Sequence, residues 1–143
     1  HATRAALDEG IVAGGGVALL EARNKFVSAE VNLDLYEGDE KIGSDILLNA
    51  IEKPFIQILK NAGIDKYHSI LSSVERTTGT GYNIKTGEYV NMIEEGIIDP
   101  TKVTRTALEN AVSVAGTMLI TECTIVDDPE GKDEVDPMSM MGM

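Results

Sequence analysis

Apolar residues recur at helical spacing along much of this chain, and the breaks between them fall on glycine, proline or acidic stretches. Ala2, Ala5, Ala6 and Leu7 predict the end of an Ala-rich helix, stopped at Gly10 as a C-terminal glycine stops one. Ile11, Val12 and Ala13 form a short apolar stretch leading into Gly14, Gly15 and Gly16. Val17, Leu20, Asn24 and Val27 then predict a helix that starts at or inside the glycines. Residues 28–40 are polar and acidic with weak periodicity and read mainly as a loop. Apolar positions 42, 46, 47, 50 and 51 predict an amphipathic helix, which Pro54 interrupts because proline lacks the ladder donor. Phe55, Ile56, Ile58 and Leu59 restart the pattern as far as Gly63, and residues 64–74 repeat it through Tyr67, Ile70, Leu71 and Val74.

The period changes after the Thr/Gly-rich breaker at residues 77–81. Tyr82, Asn83 and Ile84, then Glu88, Tyr89 and Val90, flank Lys85, Thr86 and Gly87 and predict a β-hairpin. Asp99 and Pro100 predict the start of the longest helix, with Asp99 as cap and Pro100 at the first helical position. Val103, Ala107, Ala111, Val114, Ala115 and Met118 follow on one face. Residues 121–126 are rich in β-formers and predict a strand, and the remainder is acidic and Met-rich. The fold class is therefore mainly α, with a small hairpin and a C-terminal strand.

The 143 residues allow one buried core, and with only 4% aromatics and no Trp it must be aliphatic. The formal charge of −12 argues against a phosphate-backbone partner, since nucleic acids are held by clustered Lys and Arg. No apolar run approaches a membrane span, so neither nucleic acid nor membrane is expected as a partner. A single cysteine, Cys123, excludes an intrachain disulfide and fits a reducing compartment. With His1 and His68 as the other soft ligands, no zinc spacing arises. Phosphate-loop, zincin and nucleophile-elbow motifs are absent from the chain. The four methionines of the last six residues suit either a flexible tail or soft-metal ligation.

Three constellations remain. Gly14, Gly15 and Gly16 precede a helix, where bare backbone and free amides serve either a tight, closely packed turn or an anionic ligand. Tyr82, Asn83, Ile84 and Lys85 lie on the hairpin, where Asn83 offers donor and acceptor to a base edge and Ile84 an apolar cover. The alternative is an ordinary surface hairpin. Asp99 is a helix cap, a ribose-hydroxyl acceptor, or both.

Taken in order, HATRAA at 1–6, VAGGGVAL at 12–19, GYN at 81–83, EY at 88–89, NMI at 91–93 and GIIDPTKVTR at 96–105 form a series. AVSVAG at 111–116 and TEC at 121–123 complete it. This series resembles the C-terminal part of GroEL-type (group I) chaperonin subunits as far as about Val126. The resemblance implies an ATP-driven protein-folding machine built of stacked rings of identical subunits. It implies that residues 1–9 end an intermediate-domain helix, that 10–126 form the C-terminal half of the equatorial ATP-binding domain, and that 127–143 are a flexible tail.

By position, Gly15 would contact nucleotide, Asn83, Ile84 and Lys85 would line the adenine pocket, and Asp99 would meet the ribose. Many family members carry small Ala residues where Ile84 and Lys85 stand here, so contacts there would run through the backbone or be altered. The family's phosphate loop, metal-binding Asp and water-activating Asp lie outside this chain, so Mg2+ and K+ would be held elsewhere and this chain alone would not hydrolyse ATP. Co-chaperonin and unfolded clients would be met through absent regions. Residues 121–126 would help join neighbouring subunits. The implied compartment is the bacterial cytoplasm, or an organelle matrix in a eukaryote. A different class of reading, a stand-alone helical interaction module that kept the fold without the ATPase, stays open at this stage.

Overall fold

A computed structural model of the chain describes residues 1–28 and 37–126. It is mainly helical, as the periodicity predicts, and divides into two compact units, residues 1–109 and 110–143. The acidic loop expected over 28–40 lies largely outside the described residues; its ends, Ser28, Asp39 and Glu40, are helical.

In the first unit, α1 (Ala2–Glu9) is followed by Gly10, whose φ of 80° breaks the helix and turns the chain into β1 (Ile11–Ala13). The glycine turn follows, and α2 (Val17–Ser28) begins on its far side. Helix α3 (Asp39–Ile51) stops at Glu52, immediately before α4 (Lys53–Asn61), because Pro54 in the first turn of α4 cannot continue the ladder of α3. Helix α4 ends in a Schellman motif. Gly63 has φ 74°, its N–H donates to the Lys60 carbonyl at 2.9 Å, and the Ile64 N–H donates to the Leu59 carbonyl at 3.1 Å. Helix α5 (Tyr67–Glu75) follows, starting later than the apolar pattern from Ile64 predicts.

The hairpin pairs β2 (Thr80–Asn83) with β3 (Glu88–Asn91) antiparallel, with Tyr82 opposite Tyr89 and Asn83 opposite Glu88. Ile84 falls in the connecting turn and not in the strand. A second two-stranded sheet pairs β4 (Ile98–Pro100) with β1, so that Val12 faces Asp99. Helix α6 (Thr101–Leu119) therefore starts one residue later than Asp99 and Pro100 predict. Asp99 belongs to the strand, one residue too early to be the cap. The Thr101 N–H instead donates to the Gly10 carbonyl at 3.1 Å.

The core is aliphatic apart from one ring. Ala13, Val17 and Leu20 meet Phe55, Ile56 and Leu59 of α4, Ile70, Leu71 and Val74 of α5, and Met92. On each of α4 and α5 these positions are spaced i, i+1, i+4, which turns one stripe inward. Burying a side chain such as Leu20 or Leu59 contributes about 1.5–3 kcal/mol. Arg23 fastens the rim of this core. It pairs with Glu52 at 2.8 Å and Glu75 at 3.2 Å, and its Nε donates to the Leu48 carbonyl at 3.2 Å.

In the second unit the described residues are the end of α6 and residues 120–126, all exposed. The strand expected over 121–126 is not formed. A strand needs a ladder partner for its N–H and C=O groups, and no other described segment supplies one. The acidic, Met-rich tail lies outside the described residues.

Candidate functional site

The glycine turn is shaped by close approaches on three sides. A Cβ on Gly14 would sit 3.0 Å from the Ile97 carbonyl oxygen, which already accepts the Gly14 N–H at 2.9 Å. Gly15, with φ 63°, faces the Met92 methyl, 3.3 Å from where a Cβ would stand. Gly16, with φ 82°, lies against Phe55, whose backbone N would be 3.0 Å from an added Cβ. Both positive φ values favour glycine; backbone crowds Gly14 and Gly16 at 3.0 Å, whereas at Gly15 the Met92 methyl would have to give by a few tenths of an ångström. The packing alternative for the triplet thus has a definite geometry, and it leaves Gly15 half-buried.

The hairpin turn is ordered locally. The Lys85 N–H donates to Asn83 Oδ1 at 3.0 Å, and the Gly87 N–H donates to the Asn83 carbonyl at 2.8 Å. That Asx turn occupies the acceptor of the Asn83 amide and leaves its NH2 as donor, a group that suits a ring-nitrogen acceptor of a purine. Ile84 and Lys85 are exposed on the turn. Tyr82 and Tyr89 stack edge to face across the strands with centroids 5.4 Å apart, which fixes the register that presents Asn83.

Asp99, half-buried, is placed by the β1–β4 pairing opposite Val12, three residues before Gly15. A carboxylate there accepts hydrogen bonds. Of the five residues singled out in the sequence, Gly15 and Asp99 are thus tied to one small sheet and its turn, while Asn83, Ile84 and Lys85 sit together on the hairpin. Asn83 offers a donor, Ile84 an apolar side chain and Asp99 a hydroxyl acceptor. The set contains one cation, Lys85, and so does not by itself fit a triphosphate.

A different cavity, about 120 Å³, opens between α2 and α5 and is lined by Glu21, Asn24, Val74 and Thr78 among others. None of the five residues lines it, and it is well below the ~300 Å³ at which small-molecule pockets begin.

Near the start of α6, Lys102 pairs with Asp8 at 2.9 Å, and Arg105 pairs with Glu9 at 2.7 Å and Glu109 at 2.9 Å. The Arg105 hydrogen bond holds the Glu9 carboxyl below its ordinary value, and the Asp8 hydrogen bond holds the Lys102 ammonium above its own. The Glu9 and Glu109 carboxylates raise Arg105 likewise. The Lys102–Asp8 and Arg105–Glu9 pairs tie the end of α1 to the helix that follows Asp99, whereas Arg105–Glu109 is an i,i+4 pair within α6. The two cross-element pairs lie more than ninety residues apart in sequence, which hides them from any local pattern.

Compared with protein families, residues 1–129 match the TCP-1/cpn60 chaperonin family. Among solved structures, the chain is similar to one described as a group III chaperonin in the open state, at 28% identity and a TM-score of 0.73. That likeness covers 85% of this chain and 25% of the other, so the chain spans about a quarter of the length of the chaperonin it matches.

Proposed function

The chain belongs to the TCP-1/cpn60 chaperonin family, and from that premise we propose that it forms the adenine- and ribose-facing wall of an ATP-dependent chaperonin subunit of the group I type. The observation that carries the reading is the joint tethering of Gly15 and Asp99 through the β1–β4 ladder and the Gly14–Ile97 hydrogen bond of 2.9 Å. That arrangement keeps a bare backbone turn, at the Ala13–Ile98 end of one small sheet, and a carboxylate acceptor, at the middle of its β4 strand, on the same two-stranded unit. The group I assignment rests on the sequence blocks, GIIDPTKVTR and VAGGGVAL above all.

In this reading residues 1–9 end the intermediate-domain helix, residues 10–126 are the second half of the equatorial domain, and 127–143 are its tail. ATP bound in the intact subunit supplies the phosphoryl group whose transfer drives the conformational cycle. The residues of this chain bind and orient its adenosine part. Asn83 donates to the base, Ile84 covers it, the Lys85 backbone closes the turn, Asp99 accepts from ribose hydroxyls, and Gly15 lets the backbone approach. Mg2+, K+ and the phosphates fall to segments outside the chain, and this chain alone does not hydrolyse ATP. Residues 121–126 gain their missing ladder partner from a neighbouring identical subunit in the ring. Co-chaperonin and clients meet other regions, in a bacterial cytoplasm or an organelle matrix.

The test is the mass of the native polypeptide, read with an antibody against this chain on extracts of the source cells. A much longer subunit in a large particle is expected. A native polypeptide ending near 143 residues would overturn the ATPase reading in favour of a stand-alone interaction module.

A further inference from the structure

Met92 bridges the glycine turn and the hairpin, beside Val17 at the start of α2, whose Cγ2 would stand 2.9 Å from a Cβ on Gly81. Met92 is only 2% exposed, although it stands in a turn and not on a helix or strand. Asn91 forces it inward by closing that turn, its Oδ1 accepting the N–H groups of Ile93 at 3.1 Å and Glu94 at 3.3 Å. The Met92 side chain then runs across two glycines. A Cβ on Gly81 would overlap its Sδ at 2.4 Å and its Cγ at 2.6 Å, while its Cε lies 3.3 Å from a Cβ on Gly15. The near end of the thioether therefore lies on the hairpin and its methyl end lies on the glycine turn.

The Met92 backbone makes the same connection. Its N–H donates to the Gly79 carbonyl at 3.1 Å, at the foot of β2. Its carbonyl accepts the Ile97 N–H at 2.8 Å, and the Ile97 carbonyl accepts the Gly14 N–H at 2.9 Å. Hairpin, glycine turn and the approach to Asp99 are thus all joined at Met92.

We propose that Met92 is a positioning residue for the nucleotide site: its thioether fixes the separation between the hairpin that carries Asn83 and the turn that carries Gly15. The proposal rests on the nucleotide reading given above. What it adds is a requirement for reach as well as apolarity. Leucine matches methionine in bulk but its side chain ends one atom sooner, at the level of the sulfur. A leucine at this position keeps the hairpin contact and gives up the contact with Gly15.

The experiment uses the intact subunit that carries this chain, with ATP affinity by calorimetry and melting temperature measured side by side. The variants are Met92→Leu, Asn83→Ala and the pair together. Met92→Leu is expected to weaken ATP binding about tenfold while leaving the melting temperature nearly unchanged. In the Asn83→Ala background the same change is expected to weaken binding far less, because the contact it aligns is already gone. A purely structural methionine would show no such coupling. Equal affinity for Met92→Leu and wild type, or full additivity with Asn83→Ala, overturns the positioning role and leaves the nucleotide reading standing. If wild type binds ATP but Asn83→Ala binds it equally well, the assignment of the hairpin to nucleotide fails, and the positioning role falls with it. If wild type does not bind ATP, both readings are overturned.

Discussion

Replacing Gly81 by alanine probes the contact that spaces the site, and its cost follows from the structure. The new methyl would stand 2.4 Å from Met92 Sδ, 2.6 Å from its Cγ and 2.9 Å from Val17 Cγ2. Apolar atoms rest about 3.5–4.0 Å apart, so roughly 1 Å of separation must be found. Met92 cannot swing aside, since its methyl is stopped by Gly15 and the residue is buried in the core cluster. The φ of Gly81 lies outside the left-handed region, so the backbone accepts alanine and contributes a gain of about 0.5–1 kcal/mol. Overpacking of this kind costs about 1–3 kcal/mol, and contact with three atoms at once places Gly81→Ala near the top of that range. A net loss of ~2 kcal/mol is expected.

Urea denaturation of wild type, Gly81→Ala, Met92→Ala and the double variant reads it. Met92→Ala alone costs about 2–5 kcal/mol by leaving a cavity. In the double variant the new methyl occupies part of that cavity, so the two losses fall short of additive by about 2 kcal/mol. A neutral Gly81→Ala, or strict additivity, would refute the packing of Met92 between hairpin and glycine turn.

Two further outcomes follow from the charged contacts. Arg23→Ala removes the partner shared by Glu52, Glu75 and the Leu48 carbonyl, all partly shielded from solvent, and is expected to cost about 1–3 kcal/mol, with faster amide exchange at the end of α3. For the α1–α6 pairs, Glu9 has its folded pKa depressed below 4.5 by Arg105. Its contribution is therefore complete above that value, and is lost as pH falls from there through the lower folded pKa. The protection of α1 amides, relative to their intrinsic exchange rates, is expected to fall below about pH 4.5 and with added salt in wild type, and to lose that acid-dependent component in Glu9→Gln. Equal pH profiles in the two proteins would remove the pairing from the account.

The helices were legible in the sequence because their signals are local. Pro54 and Gly63 punctuate α4, and the spacing of Phe55, Ile56 and Leu59 gives its buried face. The hairpin was legible for the same reason, from Lys85, Thr86 and Gly87 between two β-forming runs. The β1–β4 ladder was not. Its strands are three residues each and lie more than eighty residues apart, so neither carries a period of its own. That pairing is what takes Asp99 out of the cap position that the Asp-Pro signal indicates. Residues 121–126 carry strong β-formers but no partner in the described chain, so propensity alone does not make a strand there. Met92 gave no signal because it stands beside Ile93 in a turn, where no period tells which of the two apolar residues is buried. Only the glycines that accommodate it, Gly15 and Gly81, mark its path.

The most direct test of the central claim is ATP affinity of the intact subunit, measured by calorimetry for wild type and Asp99→Ala, with melting temperature alongside. Because α6 starts at Thr101, Asp99→Ala removes no helix cap, and stability should stay within about 0.5 kcal/mol. The lost acceptor for ribose hydroxyls should weaken ATP binding about tenfold or more, the equivalent of a charged hydrogen bond worth ~1.5–3 kcal/mol. Weakened binding at unchanged stability is the predicted result. Unchanged ATP affinity in Asp99→Ala would contradict the claim that this chain forms the ribose side of a nucleotide site.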